Sequence, residues 1–129
     1  MLVSPADLVA VAKATITECS VTEVERCLNS DTLLIDIREP AEFEKGHIPG
    51  AILLPRGLLE FEIHKLVDVF RPDPGIPNAD RPIVLYCGTG GRSALAALCL
   101  DSMGYRNVSS MSGGIVAWAA AHLPLDLPA

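Results

Sequence analysis

The feature that most constrains the fold is an apolar run over residues 82–85, followed at 86–93 by Tyr-Cys-Gly-Thr-Gly-Gly-Arg-Ser and at 94–100 by alanines and leucines. A β-branched and leucine run bounded by turn residues suits a buried strand, and the alanine and leucine segment suits a helix packed on a sheet. The stretch therefore predicts a strand, a glycine-rich loop and a helix, with Cys87 at the carboxyl end of the strand.

The surroundings predicted for Cys87 favour its ionised form. The first N–H groups of a helix have no partner within the helix and carry the positive end of its dipole, so they attract a thiolate. Loop glycines let backbone N–H groups gather around one point, and such surroundings lower a cysteine pKa from about 8.5 to roughly 3.5–7.5. Arg92 adds a permanent cation. Cys87 is therefore the candidate nucleophile, and the candidate substrate-binding residues are Gly88, Thr89, Gly90, Gly91, Arg92 and Ser93.

Length and charge narrow the class of protein. A chain of 129 residues fits one domain with its own core. No apolar stretch reaches membrane-spanning length, and the amino terminus lacks the pattern of a signal peptide, so we expect a cytoplasmic location and no membrane partner. The net charge is −6 and the 10 lysines and arginines are scattered, so nucleic acid is not an expected partner.

The cysteine pattern argues against a metal or a disulfide framework. The four cysteines, Cys19, Cys27, Cys87 and Cys99, form no C-x-x-C pair and no His/Cys spacing of a zinc site. In a chain of this size we expect free thiols. No metal and no cofactor are predicted.

Strand and helix patterns alternate along the chain. Strands are predicted over about 16–19, 32–37, 51–54, 82–85 and 107–110, and helices over about 5–14, 20–29, 40–45, 57–70, 91–103 and 115–122. Within the fourth helix we expect Leu59, Ile63, Leu66 and Phe70 to face the core. Residues 71–80 carry too many prolines for regular structure. The alternation predicts an α/β fold with a mainly parallel sheet and helices on both faces.

Three stretches in register resemble the single-domain rhodanese sulfurtransferases. The first reads Leu-Leu-Ile-Asp-Ile-Arg-Glu-Pro-Ala-Glu-Phe over 33–43, continued by Gly-His-Ile-Pro-Gly-Ala over 46–51. The second is the loop at 86–93, and the third is Gly-Gly-Ile-Val-Ala-Trp over 113–118. The resemblance covers about residues 16–124, so residues 1–15 are expected to be a helical extension packed on a single rhodanese domain at 16–129.

The resemblance implies both a fold and a chemistry. It implies a rhodanese-like fold with a central five-stranded parallel sheet, helices on both faces and the active loop at a strand's carboxyl end, where doubly wound sheets place ligands. It also implies that Cys87 takes a sulfane sulfur from a small anionic donor such as thiosulfate, forming a persulfide. A thiophile such as cyanide, a small thiol or a protein thiol would then accept that sulfur.

The loop departs from some relatives just after the cysteine. By the resemblance, Arg92 anchors the anionic end of the donor or closes the loop. Thiosulfate-specialised two-domain members carry basic residues where this chain has Gly88 and Thr89. With fewer fixed cations, a doubly charged donor should be held less well.

Three other functions compete with this reading. Cysteine phosphatases and related arsenate reductases also use a cysteine loop ending in arginine, but they place five residues between the two, whereas four separate Cys87 from Arg92. The shorter loop makes a smaller cradle than a phosphate needs. A non-catalytic interaction module of the same fold, or a relay that hands a persulfide to one protein, is not separated from an enzyme by the sequence.

Several other polar side chains receive structural interpretations. Asp36 and Arg38 could contact the active loop from beneath, and a buried salt bridge between them is the preferred interpretation. Arg56 is a candidate second anion contact at the same sheet edge. His47 is expected to make a structural hydrogen bond, and Trp118 is expected in the core with its indole N–H on an acceptor.

Overall fold

A computed structural model of the chain describes residues 1–70 and 72–128. Within these ranges the strands are β1 (Thr17–Cys19), β2 (Leu33–Asp36), β3 (Ile52–Leu53), β4 (Ile83–Tyr86) and β5 (Val108–Met111). The helices are α1 (Pro5–Thr15), α2 (Val21–Cys27), α3 (Pro40–Glu44), α4 (Leu59–Val69), α5 (Gly91–Ser102) and α6 (Gly114–Ala120). Short 3₁₀ turns cover Arg56–Leu58 and Asn78–Asp80.

The strands form one parallel sheet in the order β1-β5-β4-β2-β3. In the centre, Ile35 of β2 pairs with Leu85 of β4, and Val84 of β4 pairs with Ser109 of β5. All four pairings run in the same direction, so the carboxyl ends of the strands meet at one edge. This architecture confirms the five-stranded parallel sheet expected from the sequence.

Each face of the sheet buries its own apolar cluster. Alternate residues of a strand point to opposite faces, so β4 sends Ile83 and Leu85 to one cluster and Val84 and Tyr86 to the other. The first cluster also contains residues of α4 and α5, and the second contains Val24 of α2 and Trp118 of α6. Helices therefore cover both faces, as predicted.

Element boundaries differ modestly from the sequence predictions. The edge strand β3 has two residues rather than four, since only β2 pairs with it. On α4 the fully buried positions are Leu59, Ile63 and Val67, while Leu66 and Phe70 are half-buried against the same cluster. Because residue 67 lies two full turns after residue 59 and one turn after 63, it completes the core stripe in place of Leu66. Residue 71 of the predicted loop lies outside the described residues.

Capping side chains define the first two helices, and α1 packs along α5. Ser4 accepts a hydrogen bond from the Asp7 N–H at 3.1 Å and so caps α1, whose first residue is Pro5. Ser20 and Glu23 satisfy each other's backbone N–H groups at the start of α2, which confirms the predicted capping box. The buried Ala12 lies on α1, which contacts α5, the helix that follows the cysteine loop. Among the described residues, no helix has the length and apolar character needed to cross a bilayer.

Candidate active site

Cys87 directly follows β4 and lies at the sheet edge where the strands end. Its side chain continues the alternation of Ile83 and Leu85, so it belongs to the apolar cluster beneath α5. The residue is only 1% exposed. An apolar strand thus delivers a buried thiol to the start of a helix, as the sequence predicts.

Backbone N–H groups of the loop converge on the sulfur of Cys87. The N–H of Gly90 donates to Sγ at 3.2 Å, and the N–H of Ser93 donates to it at 3.4 Å. Gly90 has a φ of +103°, a left-handed conformation that glycine adopts without strain and that turns the chain into α5. No side chain caps α5 at Gly90, so its free N–H groups are available to the thiol.

These hydrogen bonds control the ionisation of Cys87. Burial by itself raises a thiol pKa, but bonds from the hydroxyl and N–H of Ser93, and from the N–H groups of Gly90 and Thr89, outweigh it. The net result is that the pKa of Cys87 is lowered from its ordinary value. Partial charges of fixed N–H groups therefore favour the thiolate in an apolar setting.

A buried pair of serines extends this network beneath the loop. The thiol of Cys87 lies 3.5 Å from Ser93 Oγ, and that hydroxyl lies 2.7 Å from Ser110 Oγ on β5. Both serines are fully buried. Ser110 is not among the predicted site residues, although a serine at an inward position of a buried strand signals a polar partner inside the fold.

The start of α6 holds the outer side of the loop. The N–H groups of Ile115 and Val116 donate to the carbonyl oxygens of Cys87 and Gly88, at 2.9 and 3.1 Å. A Cβ on Gly114 would lie 2.6 Å from the Cys87 carbonyl oxygen, and Gly114 has a φ of +59°. Because α6 holds the Gly88 carbonyl, the N–H of Thr89 on the same peptide faces the other way, and its hydrogen bond is one of those that lower the pKa of Cys87. The sequence signal is the Gly-Gly pair at 113–114, which opens the third of the stretches that resemble the family.

Arg92 lies at the mouth of the loop in an ion pair with Glu42. Its Nη1 and Nη2 atoms donate to Oε1 and Oε2 of Glu42 at 2.8 and 3.1 Å, a bidentate arrangement. A Cβ on Gly88 would approach Arg92 Nη2 to 3.1 Å, which places the guanidinium over the loop backbone. Glu42 is not among the predicted site residues, although it is the acidic residue in the first turn of α3.

The remaining loop positions differ in their exposure. Thr89 is exposed at the tip of the loop, and Gly88 is half-buried. A Cβ on Gly91 would contact Val9 of α1 at 3.6 Å, so the amino-terminal helix reaches the start of α5. These positions lie together with Cys87 around the loop, as the sequence predicts.

Asp36 and Arg38 form the expected buried salt bridge, and Asp36 pairs across the sheet with Tyr86, the last residue of β4. The Nη2 of Arg38 lies 2.8 Å from Asp36 Oδ2 and also donates to the Gly46 carbonyl at 2.8 Å. The guanidinium carbon lies 5.9 Å from the centre of the Tyr86 ring, and the Tyr86 hydroxyl accepts the N–H of Ile48. The pair therefore fixes the turn after α3 to the sheet.

Arg56 is directed to a different set of partners. Its Nη1 pairs with Glu60 at 2.6 Å and its Nη2 donates to Cys99 Sγ at 3.3 Å. The structure therefore does not bring Arg56 into the contacts of the cysteine loop. Cys99 is half-buried beside this ion pair rather than fully inside the core.

His47, Trp118 and the other thiols have structural surroundings. The ring of His47 stacks on Phe43 at 3.7 Å, and its Nδ1 lies 3.2 Å from the Phe43 carbonyl oxygen. The buried Trp118 donates its indole N–H to Pro124 at 2.7 Å. All four cysteines are free thiols. Over residues 1–70 and 72–128, no cluster of three or more His, Cys, Asp or Glu side chains is placed to hold a metal.

Comparison with known proteins gives the family of the chain. The sequence model of the rhodanese-like domain family matches residues 20–121. A sulfurtransferase of Allochromatium vinosum is 41% identical over 98 residues, which are 76% of this chain and 81% of that protein.

Two solved structures extend the similarity to the fold. A Rhodopseudomonas palustris protein of unknown function, described as a possible tyrosine phosphatase, is 32% identical with a TM-score of 0.78, covering 98% of this chain and 96% of that one. The polysulfide-sulfur transferase homodimer of Wolinella succinogenes is 29% identical with a TM-score of 0.71, and the match covers 92% of this chain and 84% of that one. The family model covers most of this chain, and the sulfurtransferase of Allochromatium vinosum matches most of its length. The chain is therefore a member of the rhodanese family of sulfurtransferases.

Proposed function

We propose that the chain is a sulfurtransferase that carries a sulfane sulfur as a persulfide on Cys87. The observation that carries this proposal is the buried sulfur of Cys87 with the N–H groups of Gly90 and Ser93 at 3.2 and 3.4 Å. Such a cradle stabilises negative charge at one sulfur position, which both a thiolate and a persulfide require. The cradle is small, and its size suits a sulfur atom better than a tetrahedral phosphate.

In the first half-reaction the thiolate of Cys87 attacks the outer sulfur of the donor. A new S–S bond forms on Cys87 while the donor's own S–S bond breaks, and its electron pair leaves with the rest of the donor. From thiosulfate the leaving group is sulfite, and from an organic persulfide it is a thiolate. The loop N–H groups that lower the pKa of Cys87 favour the thiolate that makes this attack.

In the second half-reaction a thiophile attacks the outer sulfur of the Cys87 persulfide. Cyanide would leave as thiocyanate, and a thiol would leave as a persulfide, with the Cys87 thiolate restored in either case. Since the same loop N–H groups hold the negative charge in both states, the two halves use one cradle. The single rhodanese domain at 16–129, the cytoplasmic location and the absence of a nucleic-acid partner stay predictions from the sequence.

The identity of the donor is the finer part of the proposal. Thiosulfate, an organic persulfide and a polysulfide all present an outer sulfane sulfur, and the Wolinella relative is described as a polysulfide-sulfur transferase. Acceptors are small thiophiles or a protein thiol. A dedicated relay that loads one protein partner uses the same Cys87 chemistry and is a variant of this proposal, whereas a non-catalytic module would not load Cys87 at all.

A cysteine phosphatase is the second candidate, because one similar structure is described as a possible tyrosine phosphatase. Four residues separate Cys87 from Arg92, one fewer than in the phosphatase loops, and the shorter loop forms a cradle of smaller radius than a tetrahedral phosphate needs. Incubation with a chromogenic aryl phosphate distinguishes the two activities. Phosphate release without any thiocyanate formation from thiosulfate and cyanide would reverse the assignment.

Mass spectrometry of the intact protein tests the proposal directly. After exposure to thiosulfate, an alkyl persulfide or polysulfide, we expect a gain of one sulfur atom that maps to Cys87 and disappears when cyanide is added. Cys87→Ser should fold normally and gain no sulfur, because a hydroxyl occupies nearly the same space but holds no sulfane sulfur. Cys99→Ser is the matched control and should still gain it. Sulfur gain by Cys87→Ser, or none by the parent protein with any donor, would contradict the proposal.

A further inference from the structure

The ion pair between Arg92 and Glu42 lies at the mouth of the cysteine loop, where a sulfur donor must enter. Both terminal nitrogens of Arg92 are occupied by the two oxygens of Glu42. The side chains are 43% and 38% exposed, so the pair stands at the entrance rather than inside the fold. The cation that would attract an anionic donor is therefore matched by a carboxylate at the same place.

Glu42 is held in this position by its own helix. Its Oε1 also accepts the backbone N–H of Glu39 at 3.1 Å, which ties the carboxylate to the first turn of α3. The hydrogen bonds from Arg92 lower the pKa of Glu42 to about 2, so the carboxylate stays charged at neutral pH. On the other side, the guanidinium of Arg92 lies against Gly88. The negative charge is thus a fixed part of the loop mouth.

We propose that Glu42 is a specificity-determining residue, which disfavours dianionic sulfur donors such as thiosulfate and leaves persulfides with a single charge on sulfur as the preferred class. This inference rests on the proposed function, since it assumes that Cys87 accepts sulfur. It assigns the preference to one ion pair at the entrance. The cradle around the thiolate serves every donor alike.

The physical reason lies in where each donor carries its charge. Thiosulfate brings two charges spread over its sulfur and sulfonate oxygens, and the sulfonate must stay at the mouth when the outer sulfur reaches Cys87. There it has to displace Glu42 from Arg92 or lie beside a like charge, and either costs binding free energy. An alkyl persulfide brings one charge on the sulfur that enters the N–H cradle, while its organic group at the mouth can be neutral.

The step for the preferred donor is balanced without a further reactant. The Cys87 thiolate attacks the outer sulfur of an alkyl persulfide anion, the donor S–S bond breaks, and its electron pair leaves on the inner sulfur as an alkyl thiolate. One anion enters and one anion leaves, and Cys87 keeps the transferred sulfur as a persulfide anion. No net oxidation takes place, because the sulfane sulfur moves between two equivalent thiolates.

Glu42→Gln tests the inference while keeping local structure. The glutamine carbonyl oxygen can still accept the Glu39 N–H, so the start of α3 is retained and only the charge is removed. Glu44→Gln is the matched control, because it removes an exposed carboxylate from the same helix. The rate of sulfur gain on Cys87 is measured against donor concentration for thiosulfate and for 2-hydroxyethyl persulfide, which gives a KM and a maximal rate for each.

We expect the ratio of thiosulfate efficiency to persulfide efficiency to rise about tenfold in Glu42→Gln, chiefly through a lower KM for thiosulfate. Glu44→Gln should leave the ratio at the parent value. In Arg92→Gln the further change Glu42→Gln should lose most of its effect, because the freed cation is absent. An unchanged ratio, or an equal loss with both donors, overturns the role of Glu42 while sulfur gain by the parent protein upholds the proposed function. Failure of the parent protein to gain sulfur would instead contradict the proposed function.

Discussion

Cys19 and Cys87 are both buried thiols at the carboxyl ends of strands in the same parallel sheet, and each is followed by a helix. Their pKa values nevertheless move in opposite directions. Burial, together with the nearby carboxylate of Glu23, raises the pKa of Cys19 to about 11. Hydrogen bonds from the loop outweigh burial at Cys87 and lower its pKa. Burial at a strand end is therefore not enough to make a thiolate.

The difference lies in the N–H groups at the start of the following helix. After Cys19, Ser20 and Glu23 cap α2 and use its first N–H groups for each other. After Cys87, Gly90 provides no side-chain cap, and the N–H groups at the start of α5 donate to the thiol. A capped helix start thus protects a neutral thiol, and an uncapped one stabilises a thiolate.

Ser110 of β5 lies between the two cysteines and contacts both networks. Its carbonyl oxygen lies 3.8 Å from the Cys19 thiol, and its hydroxyl is bonded to Ser93 beneath the active loop. The Cys19 thiol is thus a donor to a carbonyl, which favours its neutral form, while the Cys87 sulfur is mainly an acceptor. One strand therefore contributes contacts to two thiols whose pKa values shift in opposite directions.

The strongest way to break this contrast is Gly114→Ala. The new methyl group would overlap the Gly88 carbonyl oxygen and lie 2.6 Å from that of Cys87, at a φ of +59°. We expect a loss of about 3 kcal/mol in the free energy of unfolding and no detectable sulfur gain on Cys87, because the loop carbonyls must move. Urea unfolding and intact-protein mass spectrometry measure the two effects.

Gly50→Ala is the control for backbone conformation at Gly114. Gly50 has a φ of +83°, and nothing lies within 4 Å of the position where its Cβ would be. We expect Gly50→Ala to lower the free energy of unfolding by only about 1 kcal/mol, because alanine is strained in a left-handed conformation, and to leave sulfur gain on Cys87 intact. If Gly114→Ala behaved like Gly50→Ala, the contact between α6 and the loop would not position the active N–H groups.

Cys19→Ala tests the raised pKa of the Cys19 thiol by its effect on stability at alkaline pH. The pKa of Cys19 is raised from 9.0 to about 11, so the native state keeps a proton that the unfolded chain loses. The contribution of the neutral Cys19 thiol to the free energy of unfolding is fully present below pH 9 and is lost as the pH rises through 11. We expect the parent protein to lose about 2 kcal/mol more unfolding free energy between pH 8 and pH 11 than Cys19→Ala does. Equal losses in urea titrations would contradict the neutral state of Cys19.

Ser93→Ala sharpens the comparison at Cys87 with a smaller effect. Removing the hydroxyl takes away a hydrogen bond that stabilises the thiolate, so the pKa of Cys87 should rise. We expect alkylation of Cys87 by iodoacetamide below neutral pH to slow several-fold, because a smaller fraction of Cys87 is then thiolate. Ser102→Ala, on the exposed end of the same helix, should react at the parent rate. A profile of rate against pH that matches the parent for Ser93→Ala would remove the hydroxyl from this role.

Much of the fold followed from local patterns in the chain. The strand before Cys87, the capping box at Ser20 and the alternation of strands and helices were all predicted, because each depends on nearest neighbours in sequence. The position of the loop between β4 and α5 was also predicted, since the spacing from Cys87 to Arg92 is local, and the substrate-binding role of its residues stays a prediction. Edge strand β3 was overestimated, because pairing with one neighbour shortens it beyond what its apolar run indicates.

The sequence by itself determined that a cysteine would lie between a buried strand and the start of a helix, with a cation five residues later. Only the tertiary structure decided what surrounds that thiol: Ser110 from β5 beneath it, α6 on its carbonyls, and Glu42 on Arg92. Ser110 and Ser93 are 17 positions apart in the chain, and Glu42 and Arg92 are 50 positions apart, so no local pattern specifies these contacts. The ionisation of Cys87 and the charge at its entrance are therefore set by elements that meet only when the parallel sheet assembles.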